Sequence, residues 1–331
     1  MEISVIIPAY NRKELLRECL ASLERELSGL DAEVLVIDNA SREDIGGMVR
    51  RDFPRVHLHL NRENLGFARA NNQGLALARG RYLLLLNPDT LVQPGAISKL
   101  INYLERHPRV GVVGPRLAFE DGRFQPSTFG FPSVLREAAN LTDLDRFFPR
   151  EGKTGIFLGR VFGRWSPNFF SMYRGDTAPR RVPALFGACL MVRREAREKV
   201  GELDPNFFLY WEDADFCYRM EQAGWEAHYL PEAEVVHWGG ANYYFPDQDN
   251  FFWYYQSLLY FFAKHYSRAR VGALRLAVIS LVSFRIFINV LVDIFSGGKR
   301  VSEKKLKNLR AVREFYRSFA PEREEVSRKS I

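Results

Sequence analysis

The chain has 331 residues, 47% hydrophobic and 26% charged, which excludes a disordered, collagen-like or polytopic membrane protein and leaves room for one large or two ordinary domains. Three widely spaced cysteines, Cys19, Cys189 and Cys217, exclude a disulfide framework and a CxxC metal or redox motif, and suit a reducing compartment. The net charge of +7 points to nucleic acid or anionic membrane, but 11 Lys and Arg against 5 Asp and Glu fall within 297–331, so the basic character belongs to that segment alone.

Over the first 120 residues, short apolar runs alternate with helical patterns, the sign of a parallel sheet with crossover helices. Residues 3–7 read as a buried strand stopped by Pro8, without a secretory signal ahead of it. A helix follows over 13–27, with Leu15, Leu16, Leu20, Leu23 and Leu27 on one face, then a strand over 33–37. Ser41 and Asp44 are set to begin a second helix, 56–60 is a shorter strand, 67–78 a helix closed by Gly80, 82–86 a fully apolar strand and 96–106 a helix. From 123 to 183 periodicity fades into Pro, Gly, Arg and Phe, with an aromatic cluster at 169–173. A strand over 185–192, helices at 194–200 and 213–223, and two short strands at 226–229 and 234–237 come next. After Asn250 the chain turns helical and aromatic, then apolar over 271–295.

Polar residues stand just past the carboxyl ends of several strands: Tyr10 and Asn11, Asp38 and Asn39, Asn87 and Asp89. In an open α/β sheet such positions converge on one crevice where ligands bind, although strand ends are also polar for solubility. No GxGxxG or Walker lysine motif follows a strand, so a nucleotide here is held by side chains, with a metal against its diphosphate. Asp89 leaves its strand through Asn87-Pro88, and one or two carboxylates plus substrate phosphates suffice for Mg2+ or Mn2+.

Six segments stand in order: Pro8-Ala9-Tyr10-Asn11, the run 36–41 around Asp38, the run 64–74, Leu86-Asn87-Pro88-Asp89-Thr90, Trp211-Glu212-Asp213-Ala214-Asp215, and His237 before Trp238-Gly239-Gly240. Together they resemble the inverting family 2 glycosyltransferases of GT-A fold, in their rhamnosyltransferase-like branch. The resemblance implies an α/β GT-A fold, a Rossmann-like sheet mixed and mainly parallel, with a carboxyl-terminal helical, amphipathic extension. It implies that Pro8, Ala9, Tyr10, Asn11 and Asp38 line a nucleotide pocket, with Asp38 on the base. Asn64, Gly66, Arg69 and Asn71 would form its sugar side, with Asn87 and Trp211 also binding substrate. Asp89 and His237 would hold Mn2+ or Mg2+, with Asn87-Pro88-Asp89 in the DxD position lacking the first acid. Asp213 would be the base, Glu212 the second candidate and Asp215 structural. By residue type alone, His237 also fits a packed strand-end histidine, and acids in a first helical turn also fit dipole complements.

Eleven of the 21 residues 242–262, including Tyr243 and Tyr244, are aromatic, which suits either core or a sugar-stacking or membrane-interface surface. In 271–295 Arg275, Arg285, Asn289 and Asp293 form a polar stripe about 80° wide at 100° per residue. Each central charge in a span costs roughly 2.5–3.5 kcal/mol, so a helix lying in the membrane surface is the expectation, ahead of packing on the catalytic domain or spanning. The expected organisation is a nucleotide-sugar half at 1–122, an irregular excursion at 123–183 near the acceptor, a catalytic half at 184–249, a membrane-associating region at 250–296 and a basic tail at 297–331. The expected function is metal-dependent transfer of a sugar such as rhamnose from a nucleoside-diphosphate sugar to a glycan or lipid-linked glycan, in cell-surface polysaccharide synthesis. The expected place is the cytoplasmic face of an anionic membrane, peripherally, without nucleic acid. The competing readings are a sugar nucleotidyltransferase, against which stands the absence of a glycine-rich basic loop at 8–13, and a basic-tailed nucleic-acid-binding protein, which lacks any reader motif.

Overall fold

The structure, a computed structural model, describes residues 1–142, 178–239, 250–295 and 303–319. The aromatic cluster at 169–173, Tyr243, Tyr244, Gly240 and both ends of the basic segment lie outside the described residues. The chain divides into a sheet unit, Met1–Phe131 with Phe148–Gln248, and a helical unit, Pro132–Phe147 with Asp249–Ile331.

In chain order the elements are β1 (Ile3–Ala9), α1 (Lys13–Glu26), β2 (Ala32–Asp38), α2 (Ile45–Asp52), β3 (His57–Leu60), α3 (Phe67–Leu77), β4 (Tyr82–Leu86), β5 (Thr90–Val92) and α4 (Ala96–Arg106). There follow β6 (Val110–Ala118), β7 (Phe124–Gln125), β8 (Thr128–Phe129), α5 (Val134–Leu141), β9 (Arg180–Val182), β10 (Ala184–Leu185), β11 (Cys189–Arg193), α6 (Arg194–Val200), α7 (Glu212–Gln222) and β12 (Glu226–His237). The chain continues with α8 (Asn250–His265), α9 (Arg268–Phe295) and α10 (Glu303–Ser318).

The main sheet runs β3-β2-β1-β4-β11-β6-β12-β5. Its first four strands are parallel, β11 is antiparallel to both β4 and β6, and β12 is parallel to β6. Alternation along β1 sends Ile3, Val5 and Ile7 into a core with Leu16, Leu20 and Leu23 of α1 and Met48 of α2, while Ile6 meets α3 at Gly74 on the other face. A Cβ at Gly74 would collide with the Ile6 side chain, so the glycine lets this helix lie close to the sheet.

Four expectations change. The strand expected over 185–192 is two, β10 paired with β8 in a two-stranded sheet and β11 in the main sheet. β1 continues through Pro8, which pairs with Ile37; the β4 ladder ends at Ile6, so the missing N–H falls past the last β4 pair. The strands expected at 226–229 and 234–237 are one strand, β12, with a register shift between Leu230 and Glu234. The central strand β6 carries no strand signal because Gly111, Gly114 and Pro115 read as turns. Those glycines make room instead: a Cβ would stand 2.9 Å from Trp225 at Gly111 and 2.9 Å from Leu185 at Gly114.

In the helical unit α8 buries Tyr255, Leu258, Leu259, Phe261 and Phe262, so this part of the aromatic run is core. The basic segment contains α10, which buries Leu309, Val312 and Tyr316. The Tyr316 hydroxyl donates to the Tyr255 carbonyl at 2.8 Å. Helix α9 buries Val271, Leu274, Val278, Val282 and Ile286. At about 100° per residue the polar stripe shares this arc, so it faces the unit's own interior. Arg275 donates to the carbonyls of Tyr316 (3.0 Å) and Arg317 (3.2 Å) at the end of α10. Seven large apolar residues of α9 are exposed, most of them away from this arc: Leu276, Phe284, Phe287, Ile288, Val292, Ile294 and Phe295.

Candidate active site

The carboxyl ends of β1, β2 and β4 bring the expected residues to one end of the sheet. Pro8 and Ala9 are buried rungs of β1, and Asn39 N donates to Ala9 O at 2.7 Å. Asn11 and Arg12 take left-handed backbone (φ 58° and 59°), as does Ala40 (φ 64°), conformations that bulky L-residues adopt at a cost and that cluster at functional turns. The turns brace each other: Asn11 N donates to Ser41 Oγ (2.7 Å) and Arg42 N to Asn11 Oδ1 (2.9 Å). Glu43 takes the N–H groups of Arg12 and Lys13 at 3.0 and 2.8 Å, filling the amino end of α1. Tyr10 is half-buried beside them. Asp38 is 8% exposed; its Oδ1 accepts from Ser41 N (3.0 Å), and its Oδ2 accepts no hydrogen bond among the described residues.

Asn39, unassigned from sequence, is the hub behind Asp38. Its Nδ2 donates to Asn64 Oδ1 (2.7 Å) and Gly66 O (3.3 Å), while its Oδ1 accepts from Leu65 N (3.0 Å) and Asn61 Nδ2 (3.1 Å). Asn64 Oδ1 also accepts from Gly66 N at 2.9 Å, so Asn64 shapes the turn into α3. Gly66 has φ 84°, and a Cβ there would come within 2.7 Å of Phe208 O. That same carbonyl accepts from Phe67 N at 2.9 Å, so the amino end of α3 receives the 202–211 segment. Arg69 Nε donates to Pro205 O (3.1 Å), and Asn72 binds the Leu203 backbone through both amide atoms (2.7 and 3.0 Å). Asn71 is fully buried, its Nδ2 donating to Phe67 O (3.0 Å) and its Oδ1 lacking a hydrogen-bond partner among the described residues. Asn64, Gly66, Arg69 and Asn71 are thus joined to loops or buried in their own helix.

The segment anchored on α3 leads into Tyr210 and Trp211, both left-handed (φ 68° and 69°), and then into α7. Trp211 is buried with its ring edge-on to Phe129, 6.2 Å between centroids. Asp213 is half-buried, with Oδ2 accepting from Gly187 N (2.9 Å) and Oδ1 from Ala214 N (2.8 Å). Burial pushes its carboxyl up to about 6 against those N–H groups. Burial, then the neighbouring Asp213, pushes Glu212 well up. Its Oε2 has no hydrogen-bond partner among the described residues, as suits a protonated acid. Asp215 is fully buried and paired with Arg219 at 2.8 Å, a structural pair as expected by resemblance.

Asp89 is fully buried; its Oδ2 accepts from Gly239 N (3.2 Å) and its backbone carbonyl from Trp238 N (3.1 Å). His237 Nε2 stands 3.5 Å from Asp89 Oδ1 and 3.4 Å from Asn87 Nδ2, and its Nδ1 lies 2.9 Å from Gln125 Oε1. A buried carboxylate oxygen facing an imidazole nitrogen is a donor pair that suits Mn2+ better than the harder, oxygen-seeking Mg2+. Among the described residues no group of three His, Cys, Asp or Glu gathers, so water and substrate phosphates would complete the shell. Asn87 N donates to Ala188 O at 2.9 Å, while Asp213 leans on Gly187, so the two corners rest on consecutive residues, Cα atoms about 3.8 Å apart. The Asn87 partner is legible only once β11 is known to run beside β4, with Cys189 opposite Leu86.

The family described as glycosyl transferase family 2 matches residues 4–201. An N-acetylglucosaminyl-diphospho-decaprenol L-rhamnosyltransferase of Mycobacterium tuberculosis is 31% identical over 250 residues, covering 71% of this chain and 75% of that protein. Among solved structures, the mannosyltransferase PcManGT from Pyrobaculum calidifontis in complex with GDP-Man and Mn2+ aligns with TM-score 0.54 at 17% identity, over 96% of this chain and 87% of that one. GalNAc-T7 with UDP, GalNAc and Mn2+ aligns with TM-score 0.52 at 16% identity, over 71% of this chain and 43% of that one. These two share the fold.

Proposed function

The chain belongs to glycosyl transferase family 2, and from that premise we propose that it moves a deoxyhexose such as rhamnose from a nucleoside-diphosphate donor to a hydroxyl of a lipid-linked glycan, with inversion. The observation behind this reading is the placement of Asp213 and the Asn87–Asp89 turn on the consecutive residues Gly187 and Ala188. Asp213, raised to about 6 yet held by two N–H groups, is ionised at neutral pH and takes the acceptor proton, while Glu212 stays neutral. The acceptor oxygen bonds to the anomeric carbon as the bond to the diphosphate breaks, with the electron pair leaving on the phosphate; no covalent enzyme intermediate forms. Asp38 offers Oδ2 to a base that donates an N–H, as thymine and uracil do. Asp89 and His237 are the residues that would hold a divalent cation, which supplies charge against the leaving diphosphate when bound. The Mn2+ in both solved neighbours and the rhamnosyl transfer named for the mycobacterial relative support the metal and the sugar.

The membrane part of the reading rests on α9. Helix α10 packs along it and carries Lys304, Lys307, Arg310, Arg313 and Arg317, charges that an upright α9 would bring toward hydrocarbon at roughly 2.5–3.5 kcal/mol for each central one. A helix lying in the surface buries Phe284, Phe287 and Ile294 and leaves those charges to anionic headgroups, as on a cytoplasmic face. The test of the transfer reading is a calorimetric panel of dTDP, UDP and GDP with and without Mn2+, followed by transfer from the matching sugar donor to a synthetic polyprenyl-diphosphate glycan. Metal-dependent dTDP or UDP binding with an inverted product is expected; no diphosphate binding, or a product of retained configuration, overturns it.

A further inference from the structure

Two amide side chains meet the ring of His237, and both assign its proton to the same nitrogen. Oε1 of Gln125 lies 2.9 Å from Nδ1, and a carbonyl oxygen only accepts, so Nδ1 carries the hydrogen. Nδ2 of Asn87 lies 3.4 Å from Nε2, and an amide nitrogen only donates, so Nε2 presents its lone pair. That lone pair is 3.5 Å from Asp89 Oδ1.

Gln125 is fixed from several sides. It pairs with Leu117 in the β6–β7 hairpin, and Glu120 in the same hairpin accepts from Trp238 Nε1 at 3.2 Å. Gly239 has φ 75°, and a Cβ there would stand 2.5 Å from Gln125 Nε2 and 3.4 Å from His237 Nδ1, so only glycine leaves the amide its place against the ring. The hairpin therefore grips His237 and Trp238, and the backbone N–H of Gly239 closes on Asp89 Oδ2.

We propose that Gln125 is a positioning residue that holds His237 in its Nδ1–H tautomer and so aims Nε2 at a divalent cation shared with Asp89. The proposal rests on the reading of Asp89 and His237 as cation ligands. A fixed tautomer matters because a ligating imidazole must bring a bare nitrogen, and losing its outer partner typically weakens metal binding about 10- to 100-fold.

The test uses the full chain with 15N-histidine, without metal. Long-range 1H–15N spectra should show His237 protonated at Nδ1; Gln125→Met, similar in size but without the acceptor, should mix the tautomers, and Gln125→Glu should preserve Nδ1–H. Mn2+ titration with UDP present, followed by the electron paramagnetic resonance of free Mn2+, should show Gln125→Met weaker by about 10- to 100-fold and Gln125→Glu near the parent. An Nε2–H signature in the parent protein overturns the proposal. So does a Gln125→Met protein that binds Mn2+ like the parent while His237→Ala binds weakly. If His237→Ala itself leaves Mn2+ affinity unchanged, the ligand reading fails and takes the proposal with it.

Discussion

In the sheet unit large apolar side chains turn inward and the groups proposed for chemistry stand at the strand ends; the exposed exceptions among the described residues are Met1, Leu60 and Leu77. The helical unit reverses this along α9, whose arginines and acid share the arc that packs on the unit while seven large apolar residues face outward. A surface of the second kind is ill-suited to water, because its apolar area gains free energy only when something apolar covers it. On the proposed function the contrast separates two tasks: the first unit would make the bond, and the second would bring the first to a lipid-linked acceptor.

That division of labour breaks first at Asp213. Asp213→Asn should lower transfer by roughly 10²–10⁴ while leaving nucleotide binding and vesicle binding unchanged, as read by single-turnover assay and co-sedimentation. Loss of vesicle binding in this variant would show that the two tasks are not separable. The reciprocal change, Phe284→Ser with Phe287→Ser and Ile294→Ser, should reduce binding to vesicles containing phosphatidylglycerol by tenfold or more, since each buried aromatic or Ile contributes about 1.5–3 kcal/mol. Transfer to a water-soluble acceptor should persist, and unchanged sedimentation would mean that another surface reaches the membrane. A third measurement sharpens the assignment of the base. A carboxyl raised to about 6 must be ionised to accept a proton, so kcat should rise with pH through about 6 and fall about tenfold per unit below it. A flat profile from pH 5 to 7 would remove Asp213 from that role. The smallest effect is expected at Gly66→Ala, where the φ of 84° and the contact with Phe208 O should cost about 1–3 kcal/mol in denaturant melts and raise KM through the displaced 202–211 segment.

Much of this was legible from residue order, and the failures have physical causes. The 96–106 helix and the 82–86 strand match α4 and β4 because the apolar pattern agrees with the packing. β6 was invisible because its glycines serve close approach rather than turning. The polar stripe of α9 was read correctly as a stripe, but its direction depends on α10, whose Leu309, Val312 and Tyr316 lie in a segment that composition describes only as basic. At the site, Asp38, Asp89, His237 and Asp213 were given roles, whereas Asn39 was noted only as a strand-end residue, Asn72 only within the 64–74 run, and Gln125 not at all. Their partners lie across turns or strands up to 131 residues away, as for Asn72 and Leu203. Amides of this kind leave no periodic trace.

The position of β11 also bears on how the chain is made. Among the described residues β4 and β6 are joined through β11, which is synthesised after both, and β12 is later still. Until residues 189–193 leave the ribosome, the parallel half ends at β4 with an open edge, and β6 pairs only with the short β7 beside it. The nascent chain therefore carries an open β4 edge for about a hundred residues of elongation, or roughly 5–20 s at about 5–20 residues per second, a window in which a chaperone or an idle partner strand competes with the native one.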